Sequence, residues 1–330
     1  MTNYQPTTTI ETLKRRASVL SVLRRFFDER GFFEVETPIL SNDIVVDRYL
    51  EPIPVKYSDV IPGAKNATQL WLQTSPEFAM KRLLACGAEA IYEITKAFRA
   101  GEAGDRHNPE FTMLEWYRVG DDYQAGMEFL AELMLDVCGA FDIRFENVQR
   151  KTYREVFLEF ADLDPFQTDV AGFKKYSQDA GIDVPESSDN EDIDFWRNLI
   201  LTGVVESNLG NPSPVIVYDW PASQAALAKV RDEEIPVAER FELYLGGVEL
   251  ANGYHELLDP DELEQRNAKV NLQRQSDGMS PLPVESRLLG AMQSALPACS
   301  GVAMGIDRLV MVLLGAKSIR DVIAFPIDRA

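Results

Sequence analysis

The sequence predicts an α+β fold, an antiparallel sheet flanked by helices, and three features predict it. Apolar and polar residues alternate from Ile91 to Arg99 and again from Phe111 to Arg118, on either side of a polar loop. That is the pattern of an antiparallel hairpin with a long tip. A second pair of alternating runs occupies residues 240–256 around Gly246-Gly247, a good two-residue turn. Helical spacings of three and four residues frame the hairpins, first in Leu13, Ala17, Leu20, Leu23 and Phe27.

In chain order, the first amphipathic helix runs from Ile10 to Arg30 and stops at Gly31. Phe32 to Glu36 follows as a short strand, and Pro38, with no N–H to donate, belongs at an edge or bend. Residues 41–70 are loop-rich, with Pro52, Pro54, Pro62 and Gly63. A helix begins at Ser75-Pro76-Glu77: Ser75 suits the N-cap, Pro76 the first helical position, and Glu77 the first turn. The helix dipole alone is reason enough for Glu77. Cys86-Gly87 ends that helix. Beyond the first hairpin come a helix over 123–138 and a capping box, Thr152 with Glu155, ahead of Val156-Phe157-Leu158. Residues 161–214 are acidic and helical in two or three pieces, and Val215 to Tyr218 is a short apolar strand ending at Pro221. Charged helices near 259–275 and 285–296 precede C-S-G-V-A-M-G-I-D-R-L-V-M-V-L-L, a glycine-containing strand that turns into an apolar helix.

Strand parity sorts the hairpin residues. Phe111, Met113, Glu115 and Tyr117 share one face, and Glu93, Thr95, Ala97 and Arg99 lie together on the incoming strand. A face offering an arginine, an aromatic ring, a carboxylate and a phenol suits a nucleotide site better than a core. In the second hairpin, a turn at Gly246-Gly247 sets Leu245 against Val248, Tyr244 against Glu249 and Glu242 against Ala251. Glu242 and Glu249 then become diagonal neighbours, a pair that repels unless a cation or proton intervenes. Oxygen ligands without His or Cys favour magnesium. A solvated acidic face would account for either glutamate in isolation. Strict alternation sends Asn252 and Glu256 to the opposite face from Glu249, and a bulge at Asn252-Gly253 is expected to reverse this. In the last segment Gly301 and Gly305 permit close approach of a ligand or backbone. Arg308, in the first turn of a buried helix, needs a phosphate or carboxylate partner.

Composition narrows the classes of function. With 33 basic and 53 acidic residues the formal net charge is −20, and no basic run is present, which disfavours nucleic acid as the main partner. The three cysteines, Cys86, Cys138 and Cys299, have neither disulfide-framework nor zinc spacing. The N-terminus has no apolar secretory segment, and the most apolar later stretch, near Leu309 to Leu314, is too short to span a bilayer. A cytoplasmic protein without membrane contact is expected. Of 330 residues, 45% are hydrophobic, enough for a substantial core.

Three segments, in order, resemble the signature motifs of class II aminoacyl-tRNA synthetases: Gly31 to Pro38 motif 1, Phe98-Arg99 through the loop to Phe111 motif 2, and Gly301 to Arg308 motif 3. Within that class S-P-E, H-N-P-E-F-T-M-L-E-W-Y and E-L-A-N-G-Y-H-E look like lysyl-tRNA synthetase. The resemblance runs from about residue 10 to the C-terminus, so residues 1–330 are expected to form a single catalytic domain, with a helical, acidic insertion around 161–214. Motif 1 begins almost at once and leaves no room for an anticodon-binding OB-fold. The chain is therefore similar to the free-standing lysyl-tRNA synthetase paralogues that attach (R)-β-lysine to a lysine of elongation factor P.

That resemblance implies adenylate formation from ATP and (R)-β-lysine or lysine, then transfer to elongation factor P, with Mg2+ as cofactor. Arg99 and Arg308 would be the catalytic arginines, on the α- and γ-phosphates, and Phe111 would stack on adenine with His107 and Asn108 nearby. Glu102, Glu249, Leu250 and Gly305 complete the expected ATP set, and Glu242 and Glu249 the metal ligands. Ser75, Pro76, Glu77, Glu115, Tyr117, Asn252 and Glu256 would surround the amines of the substrate. Two departures bear on chemistry. Arg99-Ala100-Gly101-Glu102 places the motif 2 glutamate one residue late, and Ala303 stands where lysyl-tRNA synthetases usually have Gly, a candidate determinant of β- over α-lysine. Motif 1 implies a homodimer, and no stable tRNA binding is expected. An enzyme that still charges tRNA, or releases free lysyl-adenylate, is the nearest alternative. A non-catalytic regulator on a synthetase fold is the other, and retention of Arg99, Arg308, Glu242 and Glu249 argues against it.

Overall fold

The computed structural model describes residues 4–60, 69–184 and 191–330, so Pro62 and Gly63 lie outside the described residues. The chain divides into two compact units, Met1–Asp122 with Glu256–Ala330, and Tyr123–His255.

The first unit is built on the hairpin of Ala90–Phe98 and Glu110–Val119. Phe33–Glu34 pairs in parallel with the first of these strands, and Cys299–Gly305 pairs antiparallel with the second. Only two residues of the expected strand over 32–36 join the sheet. The hairpin's even-numbered side chains form its apolar underside: Tyr92, Leu114 and Trp116 are buried. Against them lies the helix Ile10–Asp28, whose Phe27 stacks on Tyr92 at 4.6 Å and meets Trp116 at 5.3 Å. Gly31, at φ +77, takes the left-handed turn that ends the helical run. The buried stripe of this helix differs from the expected one. Val19, Leu23, Phe26 and Phe27 are buried, whereas Leu13 and Leu20 are half-buried and Ala17 is exposed. The helix thus carries apolar residues on a second side, and Ile10 and Phe33 are 63% and 53% exposed. A small sheet pairs Gln69–Leu72 with Leu40–Ser41 on one side and Ile53–Lys56 on the other. The helices Glu77–Ala85, Pro260–Ser276, Arg287–Ala295 and Ile306–Leu313 complete the unit.

The second unit places Val237–Leu245 between Val248–His255 and Val215–Pro221, with Gln149–Thr152 parallel to the latter. Gly246 and Gly247, at φ +62 and +70, form the expected turn. The helix Tyr123–Ala140 and the capping box at Thr152–Glu155 are present as expected. The acidic segment is helical at Val170–Asp179 and Ile193–Ile200. Its apolar side chains Phe173, Trp196, Ile200 and Val205 are buried with Tyr153, Phe157, Val217 and Trp220 in one cluster, so the segment supplies much of this unit's core.

Candidate active site

Register settles which side chains share the upper face of the first unit. Phe111 lies opposite Ala97, Met113 opposite Thr95, Glu115 opposite Glu93 and Tyr117 opposite Ile91. On the other side Gly305, Ala303 and Gly301 oppose Met113, Glu115 and Tyr117. Directly opposed residues point the same way, so the odd-numbered face carries an aromatic and cationic end and a carboxylate end, as expected from parity.

At the cationic end the guanidinium of Arg99 sits 5.0 Å from the centre of the Phe111 ring. Arg99 Nε is buried with no hydrogen-bond partner among the described residues, a donor waiting for an acceptor. Glu102 stands 3.8 Å from Arg99, near enough for a weak ion pair. Arg308, in the first turn of Ile306–Leu313, donates to the carbonyl of Arg106 at 3.3 Å and to His107 Nε2 at 2.5 Å. Its acidic neighbour in sequence is engaged elsewhere: Asp307 pairs with Arg16 at 2.6 Å and accepts from the Thr112 N–H at 2.9 Å. Asn108 is committed to the loop itself, donating to the carbonyl of Glu110 and accepting from the Ile327 N–H. Among the described residues, a methyl group on Gly305 would come within 4 Å of the Arg308 methylenes alone, the nearest at 3.8 Å.

The carboxylate end is buried. Glu77, Glu115 and Glu256 are 7%, 1% and 1% exposed. The helix starts one residue later than expected, with Pro76 and not Ser75 at the N-cap, and Ser75 Oγ accepts from the Glu77 N–H at 3.1 Å. The same hydroxyl donates to Glu115 at 2.7 Å, and the Tyr117 hydroxyl donates to the other Glu115 oxygen at 2.5 Å. Between Glu77 and Glu256 lies a residue the sequence reading missed. Lys81, itself buried, places Nζ 2.5 Å from Glu77 Oε1 and 2.5 Å from Glu256 Oε2. The signal was the four-residue spacing from Glu77 to Lys81, the separation at which helix side chains meet. Glu256 Oε1 is buried without a hydrogen bond. A methyl group on Gly301 would overlap both the Tyr117 ring and Glu256 Oε1, so only glycine fits there.

Burial sets the electrostatics of this end. It raises the acid of Glu115 to about 8, helped by repulsion from Glu77 and opposed by the hydroxyls of Tyr117 and Ser75. Burial likewise raises Glu256 to about 8, against the attraction of Lys81. For Lys81 burial acts downward, but Glu256 and Glu77 outweigh it and hold the ammonium charged. Burial, then Glu115, drives the Tyr117 phenol well above its ordinary value.

The second unit holds the acidic pair. Glu242 lies opposite Asn252, not Ala251, and Tyr244 lies opposite Glu249. The ladder slips between Leu243 and Tyr244, and Leu250 is the extra residue. The bulge expected at Asn252-Gly253 is therefore two residues earlier, at Leu250. Its effect is the expected one: Glu242, Tyr244, Glu249 and Asn252 share a face. The Leu250 side chain is buried. Glu242 takes the Arg240 guanidinium on one oxygen at 2.5 Å and the Tyr244 hydroxyl on the other. Burial raises its acid to about 7; Arg240 opposes the rise and Glu249 adds to it. Asn252 Oδ1 is buried with no hydrogen-bond partner among the described residues.

This donor set fits a hard divalent cation. Two carboxylates that repel one another offer oxygen only, each oxygen keeps a lone pair beyond its present bond, and magnesium completes its shell with water and phosphate. No group of three or more His, Cys, Asp or Glu side chains suited to a metal occurs among the described residues. No helix there is long and apolar enough to cross a membrane.

Comparisons with known proteins bear on the chain as a whole. Residues 3–329 match the family model described as tRNA synthetases class II (D, K and N). Relatives named "Elongation factor P--(R)-beta-lysine ligase" include one from Vibrio parahaemolyticus, 44% identical over 98% of this chain and 98% of its own. One from Yersinia enterocolitica is 43% identical over 99% and 98%, and one from Pectobacterium atrosepticum 42% identical over 100% and 99%.

Proposed function

The chain belongs to the class II tRNA synthetases of the D, K and N group, and we propose that it is an ATP-dependent ligase which activates (R)-β-lysine, or lysine, as an adenylate and transfers it to a lysine side chain of elongation factor P. The observation that carries the substrate class is the buried group of Glu77, Glu115 and Glu256, with one Glu256 oxygen unsatisfied. Burying that much negative charge costs free energy which only a cationic guest returns, and a diamino acid supplies it. The name the relatives carry supports the isomer and the acceptor.

In the first step the substrate carboxylate attacks the α-phosphorus of ATP and pyrophosphate leaves. No covalent nucleophile is required, so the protein contributes positioning and charge neutralisation. Arg99, with its unsatisfied Nε, holds the α-phosphate, and Arg308 exchanges the Arg106 carbonyl and His107 for the γ-phosphate. Phe111 stacks on adenine beneath the same guanidinium that it now contacts. Gly305 leaves room beside Arg308, and Glu102, Asn108 and the Leu250 backbone line the nucleotide. Glu242 and Glu249 hold Mg2+, which neutralises phosphate charge when bound. Ser75, Pro76, Glu77, Glu115, Tyr117, Asn252 and Glu256 receive the substrate. The Ala303 methyl, beside Glu115 in register, favours the β-amino isomer. In the second step the neutral acceptor amine forms the amide bond, AMP leaves, and the amine gives up a proton. Residues 1–330 act as one catalytic domain, as a homodimer in the cytoplasm.

ATP–pyrophosphate exchange with (R)-β-lysine and with α-lysine tests the first step. Exchange with β-lysine and labelling of elongation factor P, with no aminoacylation of tRNA, are expected. Charging of tRNA in place of the factor would refute the proposed acceptor.

A further inference from the structure

The buried Lys81 has no part in the chemistry described above, yet it sits at the centre of the carboxylate group. We propose that Lys81 is a positioning and specificity-determining residue: it clamps Glu77 and Glu256 and sets the charge of the amine pocket at two negatives, so that a guest with two ammonium groups is selected. This rests on the functional reading given above.

Glu115 is bound by two hydroxyls, from Ser75 and Tyr117, and among the described residues by no cation at hydrogen-bond distance. Glu77 and Glu256 share Lys81, at 2.5 Å each. With the three carboxylates ionised, the form that binds amines, the one ammonium leaves two negative charges. A diamino acid bound through its activated carboxyl brings two ammonium groups and neutralises the pocket. An amino acid with an apolar side chain brings one and leaves a buried charge unpaired, a costly state. The clamp also has direction. Lys81 occupies one oxygen of Glu77 and one of Glu256, and leaves Glu256 Oε1 buried and without a hydrogen bond beside the Gly301 backbone. Without Lys81 the carboxylates of Glu77 and Glu256 repel, and protonation removes the charge that recognises the amine. The buried ammonium lies between the two glutamates and 5.9 Å from the centre of the Tyr117 ring.

The test compares Lys81→Met and Lys81→Arg with the parent in ATP–pyrophosphate exchange. In Lys81→Met the KM for the amino acid should rise about tenfold or more, with the KM for ATP within about twofold. Lys81→Arg should recover most of the loss, since charge and donors return. Equal changes in both KM values, or no rescue by arginine in a folded protein, overturn the proposal. If Lys81→Met does not fold, the parent decides. With lysine Nζ labelled by nitrogen-15, the Lys81 resonance must be that of an ammonium at neutral pH; a neutral amine overturns the proposal. Absence of exchange by the parent with either lysine isomer would overturn the functional reading instead, while the resonance still reports on Lys81.

Discussion

Glu115 and Glu256 make the amine pocket sensitive to pH. Each is driven to about 8, chiefly by burial. Their ionised forms bind the substrate amines, so the KM for lysine should fall as pH rises from about 6.5 to about 8. The stability of the substrate-free protein should run the other way. An acid held above its ordinary value binds its proton more tightly when folded, so the melting temperature drops as pH climbs from the ordinary glutamate range to about 8. Saturating lysine should flatten that drop, and thermal melts with and without it would check the sign. Glu115→Gln should raise the lysine KM about tenfold or more, because a charged hydrogen-bond acceptor is lost. Gly301→Ala should cost about 1–3 kcal/mol of stability and weaken lysine further, since the methyl meets Tyr117 and Glu256. Much at this scale was legible in the sequence. Parity placed Glu115 and Tyr117 on one face, and the helix start placed Glu77 and Ser75 near a terminus. Lys81 was not legible, because a lysine four residues after a glutamate reads as a solvated helix pair until burial is known.

Among elements, the tie between the first helix and the strand–helix segment 299–313 invites measurement. Arg16 meets Asp307 at 2.6 Å and Thr112 Oγ1 at 2.9 Å, and Asp307 also accepts the Thr112 N–H. Asp307→Ala leaves a mostly buried arginine without its carboxylate and the Thr112 N–H without its acceptor, and should cost about 2–3 kcal/mol in denaturant unfolding. Arg16→Met with Asp307→Asn should cost less than the single change, because the stranded charge is gone. Sequence patterns gave these elements but not their exact faces or slips. The first helix has apolar residues on more than one side, so spacing alone could not say that Val19 and Phe26 would be buried and Ala17 exposed. The second hairpin's turn was plain from Gly246-Gly247. The position of its bulge was not, since Leu250 is as acceptable in a regular strand and the slip is fixed by pairing along the whole ladder.

For the molecule as a whole, the proposed dimer has a surface with the right character. Ile10 at the start of the first helix and Phe33 after its end are exposed, as is Ala17 on the helix. Sedimentation should give twice the chain mass, and Ile10→Glu with Phe33→Glu should shift it to the monomer. The division of the chain into units carries a consequence for how it is made. The pocket takes Glu77, Lys81 and Glu115 from one end of the sequence and Glu256 and Gly301 from the other, whereas Tyr123–His255 is continuous. During synthesis the middle segment can collapse around Phe173, Trp196 and Trp220 while the pocket is still missing two of its walls. Until the ribosome has passed Glu256 the nascent chain holds Lys81 and Glu77 without their second carboxylate partner, and until it has passed Gly301 the strand beside Tyr117 is missing too; a product truncated there would be an incomplete receptor, a substrate for chaperones rather than for lysine.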